Sequence, residues 1–87
     1  MLYEILTEYK KPGKINKIVS SQFDGYNVER LTGYWQGIQE AAVKISIIAD
    51  NTVINDNKVR SIATRIKQVN NQDSVLINKI NNEFDFI

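Results

Sequence analysis

Strand-like and helix-like spacings of apolar residues take turns along this chain. In residues 2–10, "LYEILTEYK", Tyr3, Ile5, Thr7 and Tyr9 fall on one side of an extended backbone and Leu2, Glu4, Leu6 and Glu8 on the other. That alternation predicts a strand with apolar area on both faces. Pro12 and Gly13 close it, because proline cannot donate to a ladder and glycine frees the backbone. Ile15, Ile18, Val19, Gln22 and Phe23 then keep helical spacing, which predicts a helix of about three turns. Asp24-Gly25 stops it, with glycine suited to a left-handed cap.

Residues 26–35 are β-rich and loosely alternating, "QGIQE" supplies a turn, and residues 41–50 alternate cleanly. In the last run Val43, Ile45 and Ile47 share one face, and Lys44 and Ser46 the other. Two such runs around a glycine turn predict a β-hairpin. The polar stretch 50–57 offers Asn55 or Asp56 as a helix cap. Val59, Ile62, Ala63, Ile66 and Val69 trace the apolar stripe of a second, longer helix that runs to Asn70. Residues 74–80 form the last strand, and 83–87 either extend it or form a short edge.

The order β-α-β-β-α-β, with one amphipathic helix in each half, predicts a single α+β domain over residues 1–87. It has the ferredoxin-like split βαβ arrangement: a four-stranded antiparallel sheet with two helices on one face. If Val43, Ile45 and Ile47 face the helices, the uncovered face carries Leu2, Leu6, Leu31, Trp35, Ile48, Leu76 and Ile80, interrupted by Glu4, Glu8, Glu29 and Lys44. Apolar patches of that size usually mark an interface, so Leu2, Leu6, Leu31, Ile48, Leu76 and Ile80 are the expected contacts of a homodimer. A bulge at Gly33 would instead turn Trp35 toward the core. Tyr26, Arg30, Tyr34 and Trp35, gathered around the hairpin, are the expected contacts for a protein partner.

Composition narrows the chemistry. Cysteine and histidine are both absent, which removes disulfides, thiolate catalysis, Cys- and His-based metal sites and the usual proton shuttle. The four glycines, at 13, 25, 33 and 37, fit neither a phosphate loop nor a dinucleotide fingerprint. No catalytic residue, metal ligand or cofactor site is expected. The formal net charge is +1, so no overall field draws the chain to nucleic acid. Lys14, Lys17, Lys58, Arg60, Arg65 and Lys67 nevertheless fall on the predicted helices, with Lys10 and Lys11 at the entry to the first. Nucleic-acid contact, if made, would run through those helices to phosphates. Met1 leads directly into an alternating strand, and no apolar run approaches a membrane span. A cytoplasmic protein without membrane contact is expected.

Size, element order and the closing "DSVLINKI" strand resemble the small CRISPR-associated Cas2 proteins and related ferredoxin-like ribonucleases. The resemblance implies a metal-dependent nuclease or nucleic-acid-binding protein with a metal-associated aspartate at the end of the first strand. This chain reads "LTEYKK" there, with Glu8 the nearest carboxylate, so no site is carried over. Among Glu4, Glu8 and Asp50 lie the carboxylates that such an enzyme would have to use. Regulatory dimers of the PII and ACT types are similar in topology, which implies a small-ligand (nucleotide) sensor acting as a dimer, but their diagnostic loops are missing. The leading expectation is a non-catalytic interaction or regulatory module. An inhibitor encoded by a phage or mobile element, binding a host protein complex, is of this kind.

Overall fold

Side-chain alternation decides which face of each strand is covered. In the computed structural model, which describes residues 1–87, β1 (Leu2–Glu8) turns Tyr3, Ile5 and Thr7 inward, and β3 (Ile38–Ile48) turns Val43, Ile45 and Ile47 inward; all six are buried. The two strands pair antiparallel with Tyr3 opposite Ile47, Ile5 opposite Ile45 and Thr7 opposite Val43. This makes a continuous apolar floor. Helix α1 (Pro12–Ser20) lays Ile15, Ile18 and Val19 on it, and α2 (Val53–Asn70) adds Val59, Ile62 and Ile66. Burying each such side chain contributes about 1.5–3 kcal/mol.

With β2 (Asn27–Trp35) and β4 (Leu76–Ile80) the sheet order is β2-β3-β1-β4, every neighbouring pair antiparallel. Each helix therefore crosses over one intervening strand, the ferredoxin-like arrangement. The opposite face carries no helix. No helix is long and apolar enough to cross a membrane.

Local chemistry moves several boundaries from their expected places. Pro12 opens α1 instead of only ending β1: it occupies the first turn, where a missing N–H costs nothing, and Lys11 reaches it through a left-handed backbone, φ 46°. The cap of α2 is Thr52, not Asn55 or Asp56. Its extended backbone lets Oγ1 accept the Asn55 N–H at 3.1 Å, and Asp56 sits inside the first turn, where the helix dipole favours a carboxylate. Residues 83–87 form no strand. Gly33 makes no bulge, because β2 and β3 pair without interruption from Asn27–Ser46 to Trp35–Ile38. The bend lies in the turn itself, where Gln36 and Gly37 both have positive φ, 51° and 77°. That is the two-residue primed turn whose twist matches the flanking strands. Trp35 consequently stays on the face away from the helices.

Two substitutions test this packing. Thr52→Ala is expected to cost about 1 kcal/mol in chemical denaturation. The Tyr3 hydroxyl is fully buried without a hydrogen-bond partner, so Tyr3→Phe is expected to raise stability by about 1 kcal/mol; a loss of stability would show that the hydroxyl is satisfied.

Candidate functional site

Strand β3 has eleven residues and β1 seven, and their pairing covers only residues 42–48 of β3. The far part of the β2–β3 hairpin, residues 33–40, therefore projects past the end of β1 as a two-stranded arm. Tyr34, Trp35 and Ile38 on it are each at least 66% exposed. Trp35 and Ile38 pair across the arm on the open side of the sheet, while Tyr34 points to the helix side.

Between the foot of this arm and the α2–β4 turn lies a notch of about 500 Å³, with Glu8, Lys10, Gly33, Trp35, Glu40 and Asp73 among its lining residues. Gly33 lies opposite Glu40 and leaves the wall hollow between Leu31 and Trp35. A Cβ there would meet only ordinary contacts, 3.8 Å to Ala42 Cβ and to the Glu40 carbonyl. The opposite wall is held by a polar cluster. Buried Asn70 donates from Nδ2 to Gln72 Oε1 at 2.7 Å, to the Glu8 carbonyl at 3.3 Å and to Thr7 Oγ1 at 3.3 Å; Thr7 Oγ1 donates to Gln72 Oε1 at 2.5 Å. Asn71 takes the left-handed cap conformation, φ 53°, that lets the Gln72 N–H reach back to the Lys67 carbonyl. The end of α2, the end of β1 and the turn are thus tied together beside Glu8.

The notch is acidic. Glu8, Glu40 and Asp73 face a single cation, Lys10, whose Nζ lies 2.8 Å from Glu8 Oε2. That contact is one of distance, since Glu8 Oε2 has no aligned hydrogen-bond donor. No group of three or more acidic side chains converges closely enough to hold a metal ion. The chemistry on offer is charge balance and aromatic contact.

Tyr26 and Arg30 lie elsewhere. They line a second, largely apolar groove of about 510 Å³ between α1 and β2, with Ile15, Val19, Val28 and Val43. The Arg30 guanidinium stacks 4.2 Å from the centre of the Tyr9 ring, and the Tyr26 hydroxyl bonds the Asn16 side chain. The four residues expected to act as one contact patch are therefore divided between this groove and the arm. The expected interface residues stay together: Leu2 lies between Ile48 and Ile80, Leu6 beside Leu76, and Leu31 opposite Ala42, all on the open face. Lys44 crosses that face, 3.6 Å from both Glu4 and Glu29.

The sequence reading missed the Thr7–Asn70–Gln72 cluster. Thr7 was a weak signal, a polar residue in an inward slot of a strand, and Asn70 stands just past the last apolar residue of the α2 stripe. Glu40 gave none, because its importance comes from sitting across from a glycine on the neighbouring strand.

No family model and no curated protein matches the chain. Solved structures do. A phage SAM lyase in complex with S-methyl-5'-thioadenosine matches with a TM-score of 0.55 and 16% identity, over 87% of this chain and 76% of that one. The apo state of a phage SAM lyase matches with a TM-score of 0.57 and 17% identity, over 87% and 75%. The likeness is one of fold. It assigns this chain no activity.

At the far end of the sheet, Lys79 Nζ lies 2.5 Å from Asp56 Oδ1, and Arg60 Nε lies 2.9 Å from Oδ2. The hydrogen bond from Lys79, then that from Arg60, holds the Asp56 carboxyl below its ordinary range. A depressed folded-state pKa gives stability that is present above the unfolded value and lost as pH falls through the folded one. Wild type is therefore expected to lose more stability than Asp56→Asn between pH 6 and about pH 2 in denaturant titrations, by a margin that shrinks in high salt; parallel losses would show that the pairing contributes nothing.

Proposed function

We propose that the chain binds a cationic adenosine-class sulfur compound in the notch at the foot of the arm, with S-adenosylmethionine as the fitting ligand and S-methyl-5'-thioadenosine as a weaker one. The observation that carries this reading is the character of the notch: three carboxylates against one ammonium, beside an exposed indole. S-adenosylmethionine carries a sulfonium, an ammonium and a carboxylate. Glu8, Glu40 and Asp73 suit its two positive centres, Lys10 suits its carboxylate, and the Trp35 face suits either the sulfonium or the adenine ring. The fold shared with a phage SAM lyase, one example of which holds S-methyl-5'-thioadenosine, supports the choice of ligand.

A second reading, a protein-binding role of the phage-inhibitor kind, is favoured by a different observation: the apolar rows of Leu2, Leu6, Leu31, Ile48, Leu76 and Ile80 on a sheet face that no helix covers. Exposed surface of that kind is commonly closed by another chain.

Calorimetric titration separates the two. S-adenosylmethionine is expected to bind wild type about tenfold more tightly than the neutral thioether. Glu40→Gln should lose about tenfold in affinity, equivalent to about 1.4 kcal/mol. Gly33→Val should fill the notch and abolish binding while keeping the strand, since a β-branched residue suits an extended backbone. Absence of heat with either ligand at millimolar concentration, on folded protein, would end the first reading. For the second, a partner retained by immobilised wild type should be lost by Trp35→Ala and by Leu76→Lys; retention by both folded variants would remove it.

A further inference from the structure

Strand β2 has β3 on one side and no strand on the other, and it is nine residues long, whereas the other edge strand, β4, has five. The two-residue turn closes on Trp35 and Ile38 as a hydrogen-bonded pair, so residues 35, 33, 31 and 29 direct their N–H and C=O groups at β3. Val28, Arg30, Thr32 and Tyr34 direct theirs outward. No backbone hydrogen bond outside the regular elements reaches residues 27–35. A long edge left in this state is a template for another strand, and proteins usually shield it with a proline, a bulge or a covering element. Here there is none. The α1–β2 groove lies directly beside this edge on the helix side, and Val28 in it is 51% exposed.

We propose that a second copy of this chain pairs antiparallel along β2, about a two-fold axis through Thr32, to make one continuous eight-stranded sheet. Side-chain chemistry selects that register. With the axis at Thr32, threonine meets threonine, Arg30 meets the partner's Tyr34, Leu31 meets the partner's Gly33, and Glu29 meets the partner's Trp35. Threonine pairs and cation–aromatic pairs are favourable across strands, and each contact except the central one is made twice. Arg30, already stacked on Tyr9, gains an aromatic neighbour on its other side, and the partner's Tyr34 closes the mouth of the groove. An axis at Arg30 would set two guanidiniums against each other. At Leu31 the two Arg30 side chains become diagonal neighbours on one face, and at Gly33 the ladder shrinks to residues 31–35. Because directly opposed residues share a face, all four helices lie on the same side and the two open faces join into one surface.

Thr32→Cys tests the register in a chain that otherwise has no cysteine. Opposed residues of a hydrogen-bonded pair have Cα atoms about 5.5 Å apart, inside the range a disulfide spans. Mild oxidation should convert most of Thr32→Cys to a covalent dimer and leave Leu31→Cys and Gly33→Cys as monomers. Light scattering should give wild type at twice its 10.0 kDa mass. Thr32→Pro, which removes only an outward N–H from an edge strand, should run as a folded monomer by circular dichroism, and Tyr34→Ala should raise the dimer dissociation constant at least tenfold. A wild type that stays monomeric at 1 mM, a dimer in which Thr32→Cys fails to cross-link, or equal cross-linking of Leu31→Cys would each overturn the proposal. Retention of S-adenosylmethionine binding by monomeric Thr32→Pro keeps this outcome separate from that of the notch.

Discussion

The inward rows of β1 and β3 fix everything else in this molecule. Tyr3, Ile5 and Thr7 oppose Ile47, Ile45 and Val43 beneath both helices. A slip of one residue would send these rows to solvent and bring Glu4 and Lys44 into the core. The observed register of the central pair places the outer strands as well. The open face then receives Leu2, Leu6, Leu31, Ile48, Leu76 and Ile80 together with Glu4, Glu29 and Lys44. The arm receives its reach because β3 continues after β1 has stopped.

Regularity at the centre contrasts with specialisation at the rim. Polar groups that the core cannot use are collected at the end of β1, where Asn70 and Gln72 anchor the turn that forms one side of the notch. Gly33 and Glu40 form the other. The apolar groove by α1 exists because α1 leaves the outer strand partly bare, and Arg30 is held over Tyr9 in the space that remains.

The element order and the choice of buried face were readable from alternation alone, since both follow from burial of a continuous apolar surface. So was the membership of the open face, from Leu2 to Ile80. Local backbone chemistry was less readable. Thr52 outcompetes Asn55 and Asp56 as a cap because the helix begins at Val53, six residues before its apolar stripe does. Pro12 could end a strand or open a helix, and it opens one. Gly33 looked like a bulge, but the pair that needs left-handed backbone is Gln36-Gly37. Arg30 is set apart from Trp35 by strand parity, since residues of odd and even number in β2 point to opposite faces, and Tyr26 lies before the strand begins.

The projecting arm has a mechanical consequence. Over residues 33–40 its two strands support only each other within the chain, and an isolated two-stranded ribbon is marginal in water. In the isolated chain its amides should therefore be the quickest in the sheet to trade protons with solvent, and two strongly exposed aromatic side chains, Tyr34 and Trp35, stand on this weakly anchored framework. Whatever settles against the arm stiffens it, so recognition here carries an ordering cost that the rigid two-layer body does not share.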